Sequence, residues 1–163
     1  VRLASLDTLT GLLNRREWMQ RAGRALGTAS EGAVLLMLDL DHFKRINDER
    51  GHPVGDEVLK LAGEVLRGEL RATDLIGRYG GEEFCLLLRH CDPEAFGRLD
   101  ARLHQALRRR CEASLGFAVD FSAGAVRVPP GETLSSSIQR ADDQLYRAKH
   151  AGRAQTCCAP GVL

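Results

Sequence analysis

The sequence has no apolar run approaching the ~20 residues that span a bilayer, and Val1-Arg2-Leu3-Ala4-Ser5 lacks the pattern of a signal peptide. Neither sign of charge is in excess. With 23 Lys and Arg against 22 Asp and Glu, the net charge is +1, so no overall field recruits a nucleic-acid polymer or a membrane surface. Any phosphate site has to be built locally. Cysteine is sparse and carries no metal pattern: Cys85, Cys91, Cys111, Cys157 and Cys158 show no CxxC spacing and no His partner pattern, so neither a zinc site nor a disulfide framework is suggested. Free thiols in a reducing cytosol are the default, and a cytoplasmic domain is expected. An initiator Met is also missing, as expected of a piece cut from a longer protein with a regulatory domain upstream, whose N-terminal region could carry a membrane anchor. The 163 residues suit a single domain with a real core, in which residues 1–5 end an upstream linker and 157–163 form a frayed tail.

What is present begins with Arg78-Tyr79-Gly80-Gly81-Glu82-Glu83-Phe84, two carboxylates beside a glycine pair between apolar runs. A two-residue Gly-Gly link between β-type runs predicts a tight hairpin, because primed turns need positive φ. Glycine there also lets an anionic ligand approach the backbone. The same pattern suits an ordinary hairpin with solvated acids.

Ala33 to Leu40 is a nearly unbroken apolar run that contains Asp39 near its end, the mark of a strand buried on both faces. Asn14 to Leu26 reads as a helix appended at the N-terminus, with Trp18 and Ala22 on one side. Val54 to Leu70 carries apolar residues at Val58, Leu61, Ala62, Val65 and Leu66, the spacing of an amphipathic helix. Asp92 caps a second helix with Pro93 in its first turn, and Thr133 caps a last one through Leu134, Ile138, Ala141, Leu145 and Ala148. Phe117 to Val128 reads as a strand in which Gly124 marks a bulge or a close backbone approach. The order βαββαβ predicts an α/β (α+β) sandwich with a ferredoxin-like core.

In that topology Asp39 at a strand end and Glu82 at the hairpin tip converge, and two acids on adjacent strands suit a hard divalent cation. Asp39 to Asp48 turns from strand into a polar loop, where Lys44 and backbone amides are available to phosphates. Asn47 and Asp56 together could read a guanine edge, although a helix N-cap accounts for Asp56 equally well.

Asp39-x-Asp41-x-Phe43-Lys44-x-Ile46-Asn47-Asp48-x-x-Gly51-His52-x-x-Gly55-Asp56, followed by Gly80-Gly81-Glu82-Glu83-Phe84, closely resembles the GGDEF family of diguanylate cyclases. The likeness continues in Asp7-x-Leu9-Thr10-Gly11-Leu12-x-Asn14-Arg15-Arg16 and in Arg140-Ala141-Asp142-x-x-Leu145-Tyr146-x-Ala148-Lys149-x-x-Gly152-Arg153, spanning about residues 5 to 156. It implies that two GTP, one on each subunit of an antiparallel homodimer, condense to cyclic di-GMP and two pyrophosphates. By motif position, Asp39, Glu82 and the carbonyl of Leu40 would hold Mg2+ or Mn2+. Lys44 and the amides of His42 and Phe43 would bind the triphosphate at the Gly80-Gly81 tip. Asn47 and Asp56 would hold guanine with His52 nearby, and Lys149 and Arg153 would add phosphate contacts. Glu82 or Glu83 would assist deprotonation, with a metal-bound hydroxide as the other route and Glu82 favoured as the ligand that could also serve as base.

Arg71-Ala72-Thr73-Asp74 matches the RxxD pattern of the family's product-inhibition site, with Arg102 as its additional arginine. Two positions depart from the family pattern: Ala154 stands where Asn is usual, and Ala123 where a larger β-branched residue is common. Active cyclisation of GTP is the leading expectation. A cyclic di-GMP receptor with little turnover is the alternative, and a general nucleotidyl cyclase or palm polymerase is disfavoured by Asn47 and Asp56.

Overall fold

The computed structural model describes residues 4–28 and 32–163; residues 1–3 of the expected linker lie outside the described residues. In chain order the elements are β1 (Leu13–Asn14), α1 (Arg15–Thr28), β2 (Val34–Leu40), α2 (Phe43–Arg50), α3 (His52–Glu69), β3 (Leu75–Arg78), β4 (Glu83–Leu88), α4 (Pro93–Leu115), β5 (Phe121–Arg127), α5 (Leu134–His150) and β6 (Thr156–Cys158). They build one six-stranded sheet in the order β1-β3-β4-β2-β5-β6. The four middle strands are antiparallel and form the expected βαββαβ core. β1 and β6 add parallel pairings at the two edges.

Every residue of β2 is buried, because alternate side chains enter two separate cores. Leu36, Leu38 and Leu40 join Val58, Ala62, Phe96 and Leu103 under α3 and α4. Leu35 and Met37 join Trp18, Ile138 and Leu145 under α1 and α5. Helices on both faces are what a continuous apolar strand requires.

Helix α1 is therefore no appendage. Trp18 and Ala22 share its inward stripe and are fully buried, and Trp18 Nε1 donates to the Leu75 carbonyl at 3.2 Å. Gly77 makes room for the indole, since a Cβ there would lie 2.7 Å from Trp18 Cβ. The predicted close approach at Gly124 is present: a Cβ would lie 2.1 Å from the Ala141 carbonyl of α5. There is no bulge, because Gly124 stays in register with Met37.

Three segments differ from their sequence-based reading. The polar loop after Asp41 is the eight-residue helix α2, entered from His42 at φ 58°. It buries only Ile46 fully, so it has no apolar stripe to advertise it. The hairpin link is Tyr79–Glu82 rather than two glycines, and neither Gly80 nor Gly81 has a left-handed φ. Finally, the tail is docked: β6 pairs with β5, and Val162 is fully buried. Arg127 fastens it by donating to the carbonyls of Gly161 and Val162. Among the described residues no helix is long and apolar enough to cross a membrane.

Candidate active site

Of the polar residues singled out in the sequence, Asp39, Glu83 and Lys149 come together where β2 ends, beside the β3–β4 tip and the last turn of α5. The tip is held from below by Arg78. Its guanidinium donates to the carbonyls of Gly80 and Gly81, at 3.2 and 2.7 Å, and to Asp7 at 3.1 Å. Burial pulls the Asp7 carboxyl upward, but Thr10 and Arg78 outweigh it and keep Asp7 below the usual carboxylate range. The N-terminal turn and the hairpin are thus one unit, which explains the tip's shape without left-handed glycines. A Cβ on Gly81 would meet nothing within 4 Å, so protein packing does not require glycine there.

The sheet register sets Glu83 directly across from Asp39, and opposed residues of an antiparallel pair share a face. Glu82 approaches the same strand end through its backbone, whose carbonyl accepts the Leu40 N–H at 3.1 Å. Asp39 is buried and receives the Lys149 ammonium at 2.5 Å. Burial raises the Glu83 carboxyl, Asp39 and Asp142 raise it further, and Lys149 only partly offsets them. This edge holds more negative charge than the fold itself neutralises. Among the described residues no three His, Cys, Asp or Glu side chains already form a metal-holding group. The donor set nonetheless fits a hard divalent cation: carboxylate and carbonyl oxygens, with surplus negative charge and no thiolate or imidazole.

Asp41 plays a different part. Its Oδ1 accepts the Ser122 hydroxyl at 2.6 Å and its Oδ2 the Ala154 amide at 2.9 Å, so it ties β2 to β5 and to the turn after α5. That turn places Gly152, Arg153 and Ala154 successively at φ 112°, 64° and 51°, a backbone region that Asn tolerates better than Ala. Arg153 is exposed upon it. No sequence signal separates Asp41 from Asp39, because both of its partners come from distant parts of the chain.

Between α2 and α3, Asn47 lies over Gly55. A Cβ on Gly55 would stand 1.8 Å from Asn47 Oδ1, and that oxygen is buried without any hydrogen-bond partner. Such an orphan acceptor costs about 1–3 kcal/mol unless a donor arrives. Asp56 and His52 are exposed on the first turns of α3, while Lys44 and His42 are exposed at the start of α2, with Phe43 half-buried between them.

Arg71 and Asp74 lie at the far end of the hairpin. The Asp74 carboxylate accepts the Arg71 amide at 3.0 Å and the Arg89 amide at 3.2 Å. The Arg71 guanidinium lies 3.4 Å from Asp74 Oδ1 and also donates to the Arg89 carbonyl. Arg102 Nε pairs with Glu69 at 3.1 Å. All three expected residues line one cavity of about 220 Å3, to which the structure adds Arg98 and His90. Arg98 stands on α4 one turn before Arg102, and His90 lies in the link between β4 and α4; neither carries a motif of its own.

The comparisons with known proteins agree with this arrangement. Residues 4–155 match the family model described as "Diguanylate cyclase, GGDEF domain". The chain is 42% identical over 155 residues to diguanylate cyclase DgcP of Pseudomonas aeruginosa, covering 92% of this chain and 23% of that protein. It is 37% identical to diguanylate cyclase DgcS of Shewanella oneidensis, covering 92% of this chain and 51% of the relative. The chain thus spans about half or less of the length of these curated relatives. Among solved structures, the GGDEF domain of DgcB from Caulobacter crescentus, in complex with c-di-GMP, superposes with a TM-score of 0.87 at 31% identity. That match covers 97% of each chain. With the family model matched along nearly the whole chain, the chain belongs to the GGDEF domain family.

Proposed function

We propose that the domain is a diguanylate cyclase, condensing two GTP into cyclic di-GMP with release of two pyrophosphates, each subunit of a homodimer contributing one GTP. The observation that carries this reading is Asn47 Oδ1, buried and unpartnered between α2 and α3. Guanine presents N–H donors on its Watson–Crick edge that suit this acceptor, with Asp56 as a second acceptor close by and His52 beside it. The names of DgcP and DgcS point the same way.

From that base pocket the triphosphate would run over the start of α2. The Lys44 ammonium and the His42 and Phe43 amides would bind it there, against the Gly80-Gly81 tip, with Lys149 and Arg153 closing from α5 and its turn. Asp39, the Leu40 carbonyl and Glu82 would hold Mg2+ or Mn2+, with Glu83 across the strand pair from Asp39. Such an ion, when bound, neutralises the phosphates and acidifies the attacking 3′-hydroxyl. Glu82 or Glu83 would take the proton. The reaction needs a second bound GTP facing the first, so specific activity should rise with protein concentration.

Cyclic di-GMP would bind the cavity of Arg71, Asp74 and Arg102 and restrain the enzyme, as arginine forks clamp guanine edges and phosphates. The domain would work in the cytoplasm under an upstream regulatory segment, membrane-anchored or not. The deciding experiment incubates the protein with Mg2+ and either GTP or ATP across a concentration series and identifies products by mass. Cyclic di-GMP from GTP alone, at a concentration-dependent specific rate, supports the proposal. No product at any concentration, or equal use of ATP, would overturn it.

A further inference from the structure

On the side of α2 away from α3 lies a groove of about 410 Å3, bounded by α2, the residues leading into β5 and the left-handed turn after α5. Four arginines line it, Arg45, Arg50, Arg108 and Arg153, and their pairing is unequal. Arg45 is matched by Glu49 at 3.1 Å and Arg108 by Asp120 at 2.8 Å. Among the groove's remaining acids, Asp41 is satisfied by Ser122 and Ala154. Asp120 is shared further with His104 at 2.6 Å. Arg50 and Arg153 have no carboxylate partner among the described residues.

The Arg50 side chain and the Arg153 backbone are each held in place by means that leave the charge available. The Arg50 guanidinium stacks on the Phe117 ring, 3.8 Å from its centroid, which fixes a flexible side chain and strips water from one face. Arg153 stands on three consecutive left-handed residues, a geometry kept by Asp41 on the Ala154 amide and by the Ala148 carbonyl on the Arg153 amide, at 3.0 Å. Backbone strain of this kind clusters at functional positions. Neither arginine is buried, so core packing does not account for this restraint.

We propose that the groove binds inorganic pyrophosphate, receiving the leaving group of the reaction from the phosphate end of the GTP site. The inference rests on the cyclase reading for its biological sense. His42 and Arg153 border both the groove and the proposed triphosphate path, so the two sites adjoin and the released diphosphate has a short way from one to the other. Its two phosphoryl groups match two guanidinium forks, each suited to bidentate contact with phosphate oxygens. A nucleobase is a poorer fit, because Arg50 already covers the aromatic face on which it would stack.

The test is calorimetric titration of inorganic pyrophosphate into the nucleotide-free protein, its Arg50→Ala and Phe117→Ala variants, and Lys44→Ala as a control in the GTP site. Pyrophosphate should bind the wild type and weaken roughly tenfold in Arg50→Ala, as expected for one lost charge-assisted contact. Phe117→Ala should weaken it in the same direction, and Lys44→Ala should bind it as well as the wild type. Arg50 is exposed, and thermal melts verify that each variant is folded; Arg50→Lys, which keeps charge but loses the fork, should fall between. Wild-type affinity in Arg50→Ala would overturn the proposal, as would loss of binding in Lys44→Ala alone, which would place the anion in the GTP site. If GTP yields no cyclic di-GMP while Arg50 still controls pyrophosphate binding, the anion site stands and the cyclase reading falls.

Discussion

Lys149 Nζ lies 2.5 Å from Asp39 Oδ2, so the last turn of α5 neutralises the carboxylate at the end of β2. A divalent cation binding Asp39 has to compete with that ammonium. Lys149→Met keeps the length of the side chain and removes its charge. Binding of Mn2+ to the nucleotide-free variant, followed by electron paramagnetic resonance, should tighten by roughly fivefold, the equivalent of about 1 kcal/mol for a partly solvated charge pair. Turnover of GTP should fall at the same time, because the phosphates lose a cation. Weaker Mn2+ binding would mean instead that Lys149 orients Asp39.

Gly55→Ala separates base recognition from folding. The position is inside α3, where Ala is favoured over Gly by about 1 kcal/mol, but the new Cβ would stand 1.8 Å from Asn47 Oδ1 and 3.3 Å from Phe43 Cζ. The Asn47 amide has to move. Affinity for GTP should drop by about tenfold or more, the value of one well-placed hydrogen bond to a buried group, while the melting temperature stays within a few degrees of the wild type. Unchanged GTP affinity in a folded variant would remove Asn47 from the base pocket.

Arg71 and Asp74 are adjacent but predict opposite outcomes. The Arg71 side chain is 56% exposed and that of Asp74 only 2%, and Asp74 accepts the amides of both Arg71 and Arg89. Arg71→Ala should abolish inhibition by cyclic di-GMP at a stability cost below about 1 kcal/mol, as for other exposed ion pairs. Asp74→Ala should cost about 1–3 kcal/mol, because two partly buried amides lose the acceptor that a buried carboxylate gives them. Denaturant melts alongside inhibition curves distinguish the two. Retained inhibition in Arg71→Ala would move the product site elsewhere.

The features that local chemistry determines were readable from the sequence. Asp92 and Thr133 accept from the amides of Ala95 and Ser136 as helix caps do, and β2 is buried on both faces because it has almost nothing polar to expose. Helix α2 was not readable, since Ile46 is its one fully buried residue and a single residue makes no stripe. The shape of the hairpin tip depends on Arg78 meeting Asp7, 71 residues away in sequence, and the Arg153 turn depends on Asp41, 113 residues from Ala154. The candidate catalytic residues were legible through their motifs. Their electrostatic partners, such as Lys149 on Asp39, required the fold.

His104 supplies a pH test independent of any ligand. Its Nδ1 lies 2.6 Å from Asp120 and its Nε2 3.5 Å from Asp100, and the ring stacks on Phe121 with centroids 3.8 Å apart. Burial works against the charged ring, but the two carboxylates outweigh it and raise its pKa from 6.5 to about 9. A group raised on folding stabilises fully below its unfolded pKa and loses that contribution as pH rises through the folded one. The ion cluster should therefore hold α4 against β5 and β6 undiminished up to about pH 6.5 and give up as much as about 3 kcal/mol by about pH 10. The thiols ionise over part of the same range in the unfolded chain but not in the fold, where burial raises Cys111 and Cys158 to about 11, so the wild type alone cannot isolate the effect. The stability difference between the wild type and His104→Gln, read from urea melts at each pH, removes their shared contribution. That difference should shrink steadily as pH climbs past 7 and level off above about 9 to 10, following the titration of the ring. A difference independent of pH would show that His104 is held neutral and contributes only through its stack on Phe121.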